Sequence, residues 1–224
     1  MKNLNKLIRI LQSYYCLGLY FGILQAQVVI TEFFINSAEG TQIPQYIELY
    51  NTSSDPIPLE GWSIITKNEF GGESSYSTQF TSTNTYASYA SDPLINQNGE
   101  IIHPPFEIQS HGYFLISSNH IGGIIFSNNH NSDIEVLFIL SEAGSIFLYK
   151  PGISDPEDQV EYDISDSNWP IKTGHSTILQ LSDDTWSLSP EMENSEWLYE
   201  GSEIFNFGSP REENAFKLDN IQYY

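Results

Sequence analysis

Nowhere in its 224 residues does the sequence sustain an apolar stripe at the 3.6-residue spacing of a helix. Short runs rich in β-branched and aromatic residues recur instead, each closed by turn formers. A chain patterned this way has to bury its apolar side chains between sheets. The clearest instance is 45–65. Across 46–50, Ile47 and Leu49 fall on one face, while Tyr46, Glu48 and Tyr50 fall on the other, which is the period of a half-buried strand. That second face is open to two readings, an exposed recognition surface or a face covered by a later insertion. Asn51 to Pro56 supplies turn chemistry, because Asn and Asp side chains bond the local backbone and proline pre-sets its own φ. Pro58 and Gly61 bracket Leu59, and Trp62 then opens a second strand with Ile64 on its face. A tryptophan at the head of a β-run, next to a glycine, is expected to anchor a core.

Further strand patterns cover 27–35, 106–108, 112–117, 134–140, 144–149, 159–162 and 177–181. Together they predict an all-β, antiparallel β-sandwich. One stretch interrupts the order. Residues 68–105 combine Gly71-Gly72 and many Ser and Thr with the scattered aromatics Phe70, Tyr76, Phe80, Tyr86 and Tyr89, and sustain no periodicity. They are expected to form a long inter-strand insertion, and insertions of that length are usually functional or disordered.

Residues 1–26 have the pattern of a secretory signal peptide: a basic start at Lys2, Lys6 and Arg9, an apolar run, and Ala26 at the cleavage position. The apolar run is shorter than a span requires. The expectation is cleavage before Gln27, a secreted or cell-surface protein with no membrane span in the mature chain, a sandwich over 27–214 and a short tail over 215–224. Cleavage would remove the single cysteine and three of the eight basic residues, moving the formal net charge from −21 to −24. Such a chain forms no disulfide of its own and repels nucleic acid, since Lys and Arg supply the phosphate contacts.

The order of these landmarks resembles the lamin-tail domain family. Ile30-Thr-Glu32 is similar to its first strand. Tyr46-Ile-Glu-Leu-Tyr-Asn51 followed by Leu59-Glu-Gly-Trp62 is similar to its most recognisable motif, here Asn51, Gly61 and Trp62. Gly112-Tyr-Phe-Leu-Ile116, 141–148 and Gln159-Val-Glu-Tyr162 resemble later strands, and Gly208-Ser-Pro210 with Asn214 resembles its closing motif. Ser110-His111 stands where the family usually has Pro-Gly. The resemblance covers about residues 28–214 and implies an immunoglobulin-like sandwich acting as a non-catalytic interaction or adhesion module. Its partners would be proteins or surface glycans.

No residue pattern points to catalysis. The chain has no HExxH and no Gly-x-Ser-x-Gly elbow, and its one cysteine lies in the expected signal segment. Candidate calcium ligands cluster at Asp155, Glu157, Asp158, Asp163 and Asp166, where hard oxygen donors gather in loops without matching an EF-hand. A solvated acidic edge is the other reading. Candidate contact residues for a partner are Phe70, Tyr76, Phe80, Tyr86, Tyr89 and Trp186. A carbohydrate-binding module using such aromatics is the alternative to a protein-binding one.

Overall fold

The computed structural model describes residues 26–36, 45–68, 74–80, 94–95, 101–102, 106–118, 133–167, 169–191, 196–197 and 206–209. The strands are β1 (Val28–Phe34), β2 (Tyr46–Asn51), β3 (Ile57–Pro58), β4 (Ser63–Asn68), β5 (Ser74–Gln79), β6 (Leu94–Ile95), β7 (Ile101–Ile102) and β8 (Glu107–Ile108). They continue with β9 (Tyr113–Ser118), β10 (Ile134–Val136), β11 (Ala143–Tyr149), β12 (Asp158–Asp163), β13 (Thr177–Gln180), β14 (Thr185–Leu188), β15 (Glu196–Trp197) and β16 (Asn206–Phe207). Among the described residues no helix is long and apolar enough to cross a membrane.

A six-stranded sheet has the order β10-β9-β2-β1-β13-β14, and a four-stranded sheet the order β12-β11-β4-β5. All neighbours in the two sheets are antiparallel except β10 and β9, which run parallel. The two sheets pack face to face, as the alternation predicts. Ile30, Phe33, Ile47, Leu49, Phe114 and Ile116 come from the larger sheet, and Ile64, Ile146, Leu148 and Val160 from the smaller. All are buried in one apolar cluster.

The chain passes from the first sheet to the second through 52–62, and the two ends of that link show why its residues are what they are. Asn51 is fully buried at the end of β2. Its Nδ2 donates to the carbonyls of Asp55, Gln109 and Ile108 at 2.7, 3.0 and 3.2 Å, and its Oδ1 accepts from Ser53 N and Oγ. One side chain thereby fixes the turn after β2 and the turn before β9. Gly61 has φ 82, the left-handed region that favours glycine. Trp62, 4% exposed, then enters the core. In the turn before β9, His111 adopts φ 51, in the left-handed region that favours glycine. Here a histidine takes the strain, with its ring near Tyr50.

Several expectations are corrected. The stretch 68–105 is not without strand character, because β5 lies inside it and pairs with β4 along Ser63↔Gln79 to Asn68↔Ser74. Phe80 is fully buried, held by Gly61 N→Phe80 O at 2.8 Å and Phe80 N→Trp62 O at 2.7 Å. Serines and threonines around a few aromatics hid a short edge strand that lacks an apolar alternation. The face carrying Tyr46 and Glu48 is neither exposed nor, among the described residues, covered by the insertion. Both side chains are fully buried, and Gly208 lies against the Tyr46 hydroxyl. The run 134–140 is a strand only to Val136, and β14 arises around Trp186 where no strand pattern was read.

Candidate functional site

Strand β11 reads Ser145-Ile-Phe-Leu-Tyr149. Ile146 and Leu148 point into the core, so Phe147 and Tyr149 stand on the outer face of the four-stranded sheet, each half-buried. Their ring centroids are 6.3 Å apart at an interplanar angle of 29°. Register places Ile65 and Gln159 on either side of Phe147 and Ser63 beside Tyr149. Ser77 and Gln79 extend the same rows onto β5. Lys67 Nζ lies 4.7 Å from the centroid of Phe147, a cation–π contact.

At one end this face runs into an open groove of about 360 Å³. Ile65 and Tyr149 line its floor, Gln79 one side, and the 151–154 turn forms a wall that carries Ile153, 56% exposed. A Cβ on Gly61 would meet Pro151 Cγ at 3.2 Å, so the glycine also lets that wall approach the sheet. Lys150 at the rim is neutralised by Glu157 at 2.8 Å. The volume is in the range of small-ligand sites, and the lining mixes apolar floor with a few amide and hydroxyl groups.

A second cluster lies on the outer face of the six-stranded sheet. A bulge in β1 makes Thr31 the extra residue and sets Glu32 directly across from Glu48 of β2, both fully buried. Glu32 Oε1 accepts from Tyr46 Oη at 2.5 Å and from Ser209 N at 2.9 Å, and Oε2 accepts from Ser209 Oγ at 2.9 Å. Ser176 Oγ sits beside the carboxylate and favours its charged form, without a bond of full geometry. Burial outweighs these donors and raises the Glu32 pKa above its ordinary value. Burial, then the charge of Glu32, also holds Tyr46 well above the usual phenol range. Glu48 accepts from Thr31 Oγ1 at 2.8 Å. The chemistry of this cluster is attachment: it binds the 208–209 segment to the first strand.

The candidate calcium ligands do not converge. Among the described residues no group of three or more His, Cys, Asp or Glu could hold a metal ion. Glu157 accepts from Gln27 N at 2.6 Å while pairing with Lys150. Asp158 accepts from Ile30 N at 2.7 Å and Gln159 N at 2.9 Å, and its pKa is raised mainly by burial. These two carboxylates satisfy the open edge of β1, where β13 does not reach. Asp163 caps the turn at Ser165 N, and Asp166 engages the same turn through its backbone, while the candidate Asp155 lies in an exposed stretch.

The candidate contact aromatics divide. Phe80 belongs to the core, and Tyr76 is partly buried against it. Trp186 packs on Phe33 at 5.4 Å and Trp169 at 6.0 Å, closing one edge of the sandwich rather than presenting a free face. Phe70, Tyr86 and Tyr89 lie outside the described residues. Sequence reasoning does not single out Tyr149, which lines the groove, or Phe147 beside it, although the alternation in 145–149 already puts two aromatics on the face opposite Ile146 and Leu148.

A two-sheet sandwich that crosses between sheets at Asn51 and Gly61-Trp62, and carries a groove on one outer face, is by architecture an immunoglobulin-like interaction module. The lamin tail domain model matches residues 24–185, most of the chain, and the chain belongs to that family. No curated protein matches it.

Proposed function

We propose that this protein is an exported, non-catalytic lamin-tail module that holds a protein or cell-surface partner on the outer face of its four-stranded sheet. The observation that carries the reading is the pair Phe147 and Tyr149, kept half-exposed beside the groove of Ile65, Gln79 and the 151–154 turn. Rings held outward next to a concave apolar floor give contact area at low entropic cost, which interfaces use. Export is supported by the basic-then-apolar start and Ala26.

Two measurements test this. Mass spectrometry of the extracellular fraction is expected to find a chain beginning at Gln27, and an intact start at Met1 would refute export. Capture of native surface partners by the wild-type chain is expected to fail with Tyr149→Asp and with Ile153→Asp, while the melting temperature of the exposed Ile153 variant stays unchanged. Equal capture by both variants would remove the groove from the reading.

A further inference from the structure

The charge of this face departs from that of the chain. The protein carries 29 acidic residues against eight basic ones. Yet the residues that surround Phe147 and Tyr149 across the strands are Ile65, Gln159, Ser63, Ser77 and Gln79, all uncharged. Lys150 at the groove is cancelled by Glu157 at 2.8 Å. Lys67 reaches the rings and is balanced one row along the sheet by Glu161, the two being aligned across Ser145. A partner protein selected by the charge of this chain would be cationic and would need acidic groups at the contact. On this face the nearest acidic groups, Glu157 and Glu161, are matched by Lys150 and Lys67, which leaves it without net charge. It offers amides, hydroxyls and the aromatic face of Tyr149, since Lys67 lies over Phe147.

We infer that the groove binds a segment of a neutral polysaccharide, with a sugar ring seated on Tyr149 and Ile65. The inference rests on the interaction-face reading above and names its ligand class. The C–H face of a pyranose is weakly positive and apolar, and it matches the negative face of an aromatic ring. Its equatorial hydroxyls demand donors and acceptors at the edges. Ser63 stands beside Tyr149, Gln79 lines the groove one strand further on with its amide nitrogen donating to Gly61 O at 3.3 Å, and Gln159 stands beside Phe147. Lys67 covers the Phe147 ring, which stands outside the groove, and leaves Tyr149 as the stacking surface. The volume of about 360 Å³ suits a short stretch of a chain whose remainder lies outside. A polymer of uronic acids is disfavoured, since the exported chain, with five basic residues against 29 acidic ones, repels it at a formal charge of −24.

The test uses the full chain on an array of neutral oligosaccharides of differing backbone, printed beside uronic-acid-bearing ones. A neutral ligand and no acidic one is the expected result. Titration calorimetry with that ligand is then expected to show a loss of about tenfold or more for Tyr149→Ala, about 1.4 kcal/mol per tenfold. Tyr149→Phe, which keeps the ring and guards against a folding defect, is expected to stay near wild type, and Gln79→Ala to weaken binding with no change in melting temperature. Binding only to acidic oligosaccharides, or binding that Tyr149→Ala leaves intact, would overturn the assignment. An empty array with native protein capture still abolished by Tyr149→Asp would overturn the glycan inference alone and leave the interaction face standing. Loss of neither would sink both.

Discussion

Gly208 is the residue at which the Glu32 cluster is most sharply testable. A Cβ built there would lie 2.2 Å from Tyr46 Oη, 2.9 Å from Glu32 Oε1 and 3.3 Å from Ser176 Oγ. None of the three is free to yield. Tyr46 is fully buried and stacked on Phe34 at 5.6 Å, and Glu32 and Ser176 are fully buried. Gly208→Ala therefore has two outcomes. Either the methyl is forced in, at about 1–3 kcal/mol for overpacking, or the 208–209 segment lifts and Glu32 loses donors worth about 1.5–3 kcal/mol each. The first route gives about 1–3 kcal/mol and the second more, so roughly 2–4 kcal/mol is expected. For a chain of this size about 1 kcal/mol moves Tm by about 2–4 °C, so a fall of about 5–15 °C is expected in a thermal melt followed by circular dichroism at pH 7. Tyr46→Phe provides the control, because it removes the oxygen that the methyl strikes. Alone it costs the bond to Glu32, but combined with Gly208→Ala it is expected to be less than additive, the sign of a relieved clash. A Gly208→Ala melt within about 2 °C of wild type, or strict additivity in the double variant, would refute the reasoning.

Two further expectations concern ionisation and metal. The folded pKa of Glu32 is raised, so the native state holds this proton more tightly than the unfolded chain does. The stability linked to it is fully present below the unfolded value near 4.5 and is lost as pH rises through the folded value. Glu32→Gln is expected to flatten that part of the stability–pH curve in urea titrations, and a slope equal to wild type would count against a buried, titrating Glu32. Calcium at millimolar levels is expected to shift Tm no more than NaCl of equal ionic strength, because Glu157 and Asp158 are spent on Gln27 N and Ile30 N. A saturable, calcium-specific rise would show that the acidic loops bind it.

What could be read from sequence followed how local each signal is. The alternation at Ile47 and Leu49 and the Gly61-Trp62 pair depend on neighbours within a few residues, and the sandwich they imply is the one observed. Phe80 was misread because β5 is an edge strand of Ser, Thr and Tyr, whose place is decided by pairing to β4 rather than by its own pattern. Glu32 and Gly208-Ser209 were each noticed, as parts of an opening strand and a closing motif, yet nothing in the chain says that they touch across 177 residues. The register that sets Glu32 opposite Glu48 depends on a bulge at Thr31, a shift of one residue that alternation cannot reveal. The groove is likewise a product of register. Phe147 and Tyr149 are two residues apart in sequence, but Ile65 and Gln79 join them only through pairing.

Strand β1 lies inside the six-stranded sheet, between β2 and β13. Its start is gripped by Glu157 and Asp158 of the opposite sheet, and its Glu32 holds Ser209. In mechanical terms this makes β1 a tie rod. Tension applied between Gln27 and Ser209 runs along β1 and leaves through the Glu32 bonds to Ser209 and through the bonds that tie Phe207 to Gly174, Ser176 and Ser189. Under such a load the rate at which these few bonds open, rather than the equilibrium stability of the whole domain, governs how long the closed form survives.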